Sequence, residues 1–293
     1  MNAGAPAPAR LVAIGDTQET ALVERLIGLE QNAARRHWLL DEIARRAPER
    51  VLHLGDLVTF GSAPAHWARL DALLQPLHAR GIPISPVVGN HDRMLRANAG
   101  IRALRQRFEL PPDRTWYRVR HHGLELLALD SNLTGAAAEA QQRWLDAAVA
   151  EADRDPAVRA LIGAWHHPPM TNSRLVRPSR LARERFVPAL ARSRKALAVL
   201  CGHCHAYEHF LVDGLDVFVS GGGGGPRHRL ETRPARRRAP DLFAGGPLRF
   251  LHFLEIEAGD DAVTVEIVRM SEAPTPSFDV ADRVRLAYRD HDD

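Results

Sequence analysis

A short apolar run that leads straight into glycine and three polar residues, ISPVVGNHD (residues 84–92), decides the fold class. The run has the length and composition of a buried strand, and the glycine permits a tight turn with close backbone approach. The same pattern recurs in LVAIGDTQ (11–18), VLHLGD (51–56), LIGAWHH (161–167) and ALAVLCGHCH (196–205). Each polar cluster therefore follows the end of a predicted strand.

Segments rich in Ala, Leu and Arg with helical spacing lie between the apolar runs, so the sequence predicts an α/β protein in layers. The predicted helices are 33–47, 65–79, 96–107, 138–151 and 180–192. The predicted strands are 11–14, 51–54, 84–88, 116–119, 125–129, 160–165, 196–200, 210–212, 217–219, 250–256 and 262–268. No repeat or long linker divides the 293 residues. We expect one domain over 1–293, with the motifs in 10–212 and further strands and an Arg-rich loop in 213–293.

The polar clusters together offer an oxygen and nitrogen ligand set for metal ions. In an open α/β sheet, ligands bind beyond the carboxyl ends of the strands, so residues far apart in sequence can converge there. The set comprises two carboxylates, one amide and three imidazoles: Asp16, Asp56, Asn90, His166, His203 and His205. Such a set suits divalent Mn, Fe or Zn and exceeds what one tetrahedral ion uses. We expect two adjacent ions, with Asp56 as the bridge.

In this order the motifs resemble the signature of the calcineurin-like metallophosphoesterase family: D-x-H, G-D, G-N-H-D/E, a later H, and G-H-x-H. The resemblance implies a four-layer α/β/β/α sandwich with two central mixed β-sheets. It implies that one metal is held by Asp16, Gln18, Asp56 and His205. It implies that the other metal is held by Asp56, Asn90, His166 and His203. The segment GHCHAYE (202–208) also looks like the corresponding segment of purple acid phosphatases.

Two positions depart from these patterns. Gln18 stands where the family usually has His, and a carboxamide oxygen is a weaker and harder donor than an imidazole. The first metal should therefore bind less tightly, and we expect two divalent ions, Mn or Fe in preference to Mg or Zn. Thr59 stands where purple acid phosphatases are expected to have their metal-binding Tyr, three residues after the bridging Asp. A purple ferric site is therefore not expected.

Such a centre favours hydrolysis of a phosphomonoester or phosphodiester by attack of a hydroxide that bridges the two metals. By resemblance, His91 does not bind metal and donates a hydrogen bond or a proton to the phosphoryl or leaving oxygen. Asp92 is expected to hold the other ring nitrogen of His91. The expected substrate is a small phosphorylated or nucleotide compound. Its specificity should depend on the loops 18–32, 93–100, 170–179 and 226–243.

Composition excludes several other classes. The 39 Lys+Arg against 36 Asp+Glu give a formal net charge of +3, and acidic residues are interspersed, so nucleic-acid binding is not favoured. No apolar run approaches the ~20 residues of a membrane span. Residues 1–10 lack both a basic segment and the apolar core of a signal peptide. We therefore expect a cytoplasmic protein with no membrane partner.

Three alternatives remain in view. Cys201 and Cys204 satisfy the C-x-x-C redox pattern and, with His205, the C-x-x-C-H haem-attachment pattern. The redox alternative is disfavoured because a turn and a strand follow the motif instead of a helix. The haem alternative is disfavoured because covalent haem attachment normally occurs outside the cytoplasm and no export signal is expected. A non-catalytic metal- or phosphate-binding relative of the same fold is the stronger alternative, since Gln18 makes the site non-standard.

The Arg-rich stretch 226–240 is expected to be a mobile, solvated loop rather than an anion-binding arm.

Overall fold

The computed structural model describes residues 10–289, so the prediction about a signal peptide concerns residues that lie mostly outside this range. Within it, twelve strands form two six-stranded sheets. In chain order the strands are β1 (Arg10–Ile14), β2 (Arg50–His53), β3 (Ile84–Pro86), β4 (Tyr117–His121), β5 (Leu124–Ala128), β6 (Ala160–Trp165), β7 (Ala196–Cys201), β8 (Tyr207–Val212), β9 (Leu215–Ser220), β10 (His252–Ala258), β11 (Ala262–Met270) and β12 (Phe278–Ala287). The first sheet has the order β12-β11-β10-β1-β2-β3 and the second the order β4-β5-β6-β7-β9-β8.

Six α-helices connect the strands of the described chain. They are α1 (Leu22–Leu26), α2 (Ala33–Arg46), α3 (Pro64–His78), α4 (Ala97–Arg107), α5 (Gly135–Arg154) and α6 (Val187–Ala191). A single 3-10 turn, His91–Arg93, lies between β3 and α4. Among residues 10–289, no helix is both long and apolar enough to cross a bilayer.

The first sheet is covered on both faces, and β1 shows how its sequence achieves this. Val12 and Ile14 pack on one face with residues of α2, α3 and α4. Leu11 and Ala13 point the other way, into a core shared with the second sheet. Successive side chains of a strand point to opposite faces of the sheet. A strand that is buried on both faces therefore needs apolar residues at every position, which appears in the sequence as a continuous apolar run.

The second sheet repeats this arrangement with α5 and α6 on its outer face. Leu145 of α5 and Leu190 of α6 pack against Leu161 and Val199 of the sheet. Ile162, the neighbour of Leu161 on β6, faces the first sheet. The layers are therefore helices, sheet, sheet and helices, which confirms the predicted α/β/β/α sandwich.

The predicted helix over 180–192 is present with an irregular turn, and the last strand of the chain was not predicted. The helix runs over residues 180–191, with a π-helical turn at Ala182–Phe186 that leads directly into α6. Pro188 explains the irregular turn, because it has no N–H for a regular helical hydrogen bond. Strand β12 was not predicted, because it is an edge strand with largely exposed side chains and alternating charge, including Asp282 and Arg283.

Candidate metal centre

The five polar clusters follow the carboxyl ends of β1, β2, β3, β6 and β7, as the sequence predicts. The first three strands are parallel to one another, and so are β6 and β7, so their ends meet at common edges. The two sheets are joined there by hydrogen bonds. His166 Nδ1 lies 2.8 Å from the carbonyl oxygen of Leu54, and the Gly223 N–H, after β9, donates to the carbonyl of Gly15, after β1, at 2.8 Å. Residues from both sheets therefore share one site.

Asp16, Gln18 and His205 form a first group of candidate ligands. His205 Nε2 lies 3.3 Å from Asp16 Oδ1. The Gln18 amide is satisfied when its nitrogen donates to the carbonyls of Asp56 and Asp16 and its oxygen lies 3.1 Å from His205 Nε2. Adjacent ligands of an octahedral ion with bonds of about 2.1 Å stand about 3.0 Å apart. The three side chains therefore have the spacing of ligands to one ion.

Asp56, Asn90 and His166 form a second group with similar spacing. His166 Nε2 lies 3.2 Å from Asp56 Oδ2 and 3.1 Å from Asn90 Oδ1. The rings of His166 and His203 are 5.0 Å apart between centroids. Ligand atoms of Asp16, Asp56 and His166 all lie within 4.8 Å of one another, so Asp56 stands between the two groups. The donor set fits two metal ions, and the ligand assignments themselves stay predictions.

The backbone at this site adopts an unusual conformation at three residues. Asp16, Asp56 and His203 have φ values of 63°, 54° and 68°, in the left-handed region that non-glycine residues seldom adopt. Such residues cost on the order of 1–3 kcal/mol each and persist where surrounding contacts hold them. The His203 N–H donates to both oxygens of Asp16 at 3.0 Å, and the Asp16 N–H donates to the Gly55 carbonyl at 3.0 Å. The ligands are therefore fixed by the turns that carry them.

Two motif glycines are required by close approach. A Cβ at Gly202 would lie 2.6 Å from Asp16 Oδ2 and 2.7 Å from the Leu54 carbonyl oxygen. A Cβ at Gly89 would overlap the backbone nitrogen and a carboxylate oxygen of Asp56. Gly202 therefore lets the strand ends of the two sheets converge, and Gly89 lets the turns after β2 and β3 approach each other within the first sheet.

The carboxylates hold protons on two of the imidazoles. Burial lowers the pKa of His166, but Asp56 opposes this and raises it to about 10. Burial raises the pKa of Asp56, but His166 outweighs it and holds that pKa below its usual value. The pKa of His205 is also raised, since Asp16 outweighs burial, whereas burial and His166 lower the pKa of His203. The negative charge of Asp16 and Asp56 thus favours cations at this site, and metal binding there would release protons from the imidazoles.

His91 and Asp92 are not paired as the sequence analysis expected. The ring nitrogen Nδ1 of His91 lies 2.9 Å from the carbonyl oxygen of Thr59. The fully buried carboxylate of Asp92 instead accepts four backbone N–H groups, from Asp56, Leu57, Val58 and Gly89, at 2.9–3.2 Å. The prediction that Asp92 holds the His91 ring is therefore wrong. Asp92 satisfies donors left unpaired in the turns after β2 and β3.

Two further histidines, His167 and His228, line the site. The sequence analysis did not assign a role to either of them. His167 Nδ1 lies 2.8 Å from Ser131 Oγ, and the His167 ring is 4.5 Å from that of His203. Burial lowers the pKa of His167 to about 3, so this imidazole is neutral. His228 stacks on His205 at 4.2 Å between centroids. The pair His166-His167 at the end of β6 was a sequence signal that could have indicated His167. No motif in the sequence indicated His228.

His205 is oriented by the segment that follows β9. Its Nδ1 lies 2.8 Å from the carbonyl oxygen of Pro226, which leaves Nε2 to face Asp16. A carbonyl partner of this kind fixes the orientation of a metal-binding imidazole. The adjacent Arg227 pairs with Glu30 and Glu272, so this part of the Arg-rich loop is held in place. The expectation of a mobile, solvated loop is wrong here.

The two thiols are not available for redox chemistry. Cys201 and Cys204 are both fully buried and unpaired. Burial raises the pKa of each thiol well above its usual value. Because the thiolate is the reactive form, these cysteines act as small core residues.

A four-layer sandwich with two groups of oxygen and nitrogen donors at the ends of its strands is an architecture that can hold metal ions. The chain belongs to the calcineurin-like phosphoesterase family, whose model matches residues 9–207. This match confirms the resemblance drawn from the motifs. The comparison with curated proteins gives no match.

Solved structures with the same fold come from distant proteins. A purple acid phosphatase from yellow lupin (Lupinus luteus) is 16% identical with a TM-score of 0.73, over 96% of this chain and 54% of that one. The chain thus spans about half the length of that phosphatase. GAP50, the anchor in the inner membrane complex of Plasmodium, is 14% identical with a TM-score of 0.70, over 96% and 89%. A dimetal phosphatase from Danio rerio is 16% identical with a TM-score of 0.61, over 96% and 100%.

Proposed function

We propose that the protein hydrolyses a phosphomonoester or a phosphodiester with two divalent metal ions. The observation that carries this proposal is the position of Asp56, whose ligand atom lies within 4.8 Å of those of Asp16 and His166. Within each of the two groups, neighbouring ligand atoms are 3.1–3.3 Å apart. Membership of the calcineurin-like phosphoesterase family supports it. The oxygen-rich first group, with Gln18 in place of an imidazole, favours Mn or Fe over Zn.

The chain's own residues divide the work between holding ions and positioning them. Asp16, Gln18, Asp56 and His205 would hold one ion, and Asp56, Asn90, His166 and His203 the other. When bound, two such ions polarise phosphoryl oxygens and lower the pKa of a water between them. The carbonyls of Leu54 and Pro226 fix the rings of His166 and His205, which leaves their Nε2 atoms toward the carboxylates.

His91 is the residue that we assign to proton donation. Its backbone N–H donates to Asp56 Oδ1 at 2.8 Å, which fixes His91 beside the carboxylate that would hold both ions. Its Nδ1 is engaged by the Thr59 carbonyl, so Nε2 is the atom that can donate to a phosphoryl or leaving oxygen. A positioned general acid contributes about 10²–10⁴-fold to rate.

The proposed substrate is a small phosphorylated compound or a nucleotide, taken without a membrane or nucleic-acid partner. Loops 18–32, 93–100, 170–179 and 226–243 follow the strand ends and would contact it. Part of the last loop is rigid, since the Arg238 guanidinium donates to the carbonyls of Thr171 and Ser173 at 2.9 Å and 2.7 Å. A rigid rim favours a substrate of defined shape over a long flexible chain.

The competing proposal is a non-catalytic binding protein of the same fold. Gln18 favours it, because a weaker ligand would lower occupancy of the first metal position. The family fold does not decide between the two, because function depends on the site and not on the architecture.

The deciding experiment measures turnover of p-nitrophenyl phosphate and bis-p-nitrophenyl phosphate by chelator-treated protein with and without added Mn²⁺. We expect Mn²⁺-dependent turnover, and the preferred ester distinguishes monoesterase from diesterase. Asp56→Asn should lower it by about 100-fold or more. Asp146→Asn, the same change at an exposed position of α5, is the matched control. Two bound Mn²⁺ with no turnover of either ester would instead support the binding protein.

A further inference from the structure

Glu49, His121 and His122 form a cluster far along the strands from the metal centre; we call these three residues the hairpin cluster. Glu49 directly precedes β2, whose opposite end leads to Asp56. His121 is the last residue of β4, and His122 lies in the turn to β5. The cluster therefore joins the first sheet to the second at the edge opposite the proposed active site.

The three side chains have the spacing of ligands to one ion. His122 Nε2 lies 2.8 Å and His121 Nε2 lies 3.7 Å from the same oxygen, Glu49 Oε2. One ligand atom from each residue lies within 4.8 Å of the ligand atoms of the other two. Ligands of a tetrahedral zinc ion with bonds of about 2.0–2.1 Å stand roughly 3.3–3.4 Å apart. Small shifts of the partly exposed Glu49 and His122 would suffice to reach that geometry.

His121 supplies an independent observation that points to a ligand. Its side chain is only 8% exposed, and its Nε2 is buried without a hydrogen-bond partner within residues 10–289. A buried polar atom without a partner costs about 1–3 kcal/mol, so its presence calls for a reason.

The backbone presents His122 in a fixed direction. His122 has φ 47° and the next residue, Gly123, has φ 82°, which are the angles of a tight two-residue hairpin turn. Asn, Asp or Gly usually occupies the first of these positions, and His is tolerated there. The Glu49 N–H donates to the Arg10 carbonyl at 3.0 Å, which holds the carboxylate side of the cluster.

Neighbouring cations are engaged by other groups. Arg50 of β2 donates to Ser85 Oγ at 2.8 Å. Arg159 donates to the carbonyl oxygens of His122 and Gly259 at 3.1 Å and 2.9 Å and stacks on Tyr288. One carboxylate and two imidazoles are thus left to face one another.

We propose that Glu49, His121 and His122 bind a Zn²⁺ ion, with water in the fourth position. Two imidazoles and one carboxylate are a zinc ligand set of the kind that keeps one position for solvent. The ion links the start of β2 to the β4–β5 hairpin and so fastens the two sheets together. The site is independent of the proposed phosphoesterase activity.

The test counts zinc bound by the full chain after chelation and dialysis against Zn²⁺. Glu49→Gln and His122→Asn each remove one ligand, and Asn retains the left-handed turn, so folding is preserved. We expect each variant to bind about one ion fewer per chain than the unmodified protein. The affinity at this site should fall about 100-fold or more, which exceeds the usual effect of removing an outer partner. His37→Asn, at an exposed position of α2, is the matched control.

A cobalt spectrum assigns the lost ion to its site. His203→Ala should weaken the proposed active site and retain the tetrahedral Co²⁺ absorption of the hairpin cluster, whereas His122→Asn should remove that absorption. Turnover with Mn²⁺ should be unchanged in His122→Asn. Equal zinc content in the unmodified protein, Glu49→Gln and His122→Asn overturns the proposal. An equal loss in His37→Asn also overturns it, because binding would then be unspecific.

Discussion

At the scale of single residues, His91 combines a fixed ring with a free nitrogen. The Thr59 carbonyl engages Nδ1, and Asp56 accepts the backbone N–H, so the ring cannot turn without breaking a contact to the site. No carboxylate holds the ring, in contrast to the expectation for Asp92.

His91→Asn tests this role. We expect kcat to fall by about 10²–10⁴-fold with unchanged metal content, because the variant removes a proton donor and no ligand. The loss should be larger for an ester with a poor leaving group than for p-nitrophenyl phosphate. Steady-state kinetics with p-nitrophenyl phosphate and with an ester that has a poor leaving group measure the loss in kcat. Metal analysis of the same preparations checks that metal content is unchanged. An equal loss for both leaving groups would contradict proton donation.

Gln18 is the residue that separates this chain from the family motif, and Gln18→His restores it. His205 Nε2 faces the carboxamide oxygen at 3.1 Å, so an imidazole at position 18 would meet the same ion. We expect the variant to retain more metal through dialysis and to bind Zn²⁺ better relative to Mn²⁺. Metal analysis after identical dialysis of both proteins measures the change. Equal retention would show that residue 18 is not a ligand.

At the scale of elements, Asp92 joins the turns after β2 and β3. Its carboxylate accepts N–H groups from Asp56, Leu57 and Val58 on one turn and from Gly89 on the other. Asp92→Asn keeps the size of the side chain and replaces one acceptor oxygen by a donor. We expect it to lower the free energy of unfolding of the metal-free protein by roughly 2–4 kcal/mol, because buried N–H groups lose their partner.

Urea unfolding of metal-free Asp92→Asn, beside the exposed control Asp146→Asn, measures this effect. Metal content should also fall, since Asp56 is on the turn that Asp92 holds. Unchanged stability of Asp92→Asn would contradict this role of Asp92 in holding the two turns.

Sequence patterns predicted the elements better than the contacts between them. The runs before Asp16, Asp56 and Asn90 are buried strands because apolar residues on both faces leave them no other environment. Their polar ends follow from strand direction alone. The partner of Asp92 and the position of His228 depend on how turns bend, which hydrophobic pattern does not encode. Strand β12 was missed for a different reason: it is an exposed edge strand, and its charged sequence resembles a loop.

At the scale of the whole molecule, the site and the inter-sheet core depend on one another. The first sheet contributes Asp16 and Asp56, and the second contributes His166, His203 and His205. His252 of β10 lies in the same interface, where its Nε2 is 2.9 Å from Ser220 Oγ of β9 and its Nδ1 is 3.1 Å from the Phe250 carbonyl oxygen. Neutral imidazole satisfies both contacts, with Nδ1–H as donor and Nε2 as acceptor.

The neutrality of His252 makes the packing of the two sheets sensitive to acid. Burial lowers its pKa from 6.5 to about 4, so between these values the unfolded chain binds a proton that the folded chain does not. Its contribution is complete above pH 6.5 and is lost as pH falls towards 4. His252→Gln lacks this titration, so its stability deficit relative to the unmodified protein should shrink by about 2 kcal/mol from pH 7 to pH 5. Urea unfolding of both metal-free proteins at these pH values measures the difference, and a deficit that stays constant would mean that His252 is protonated in the fold.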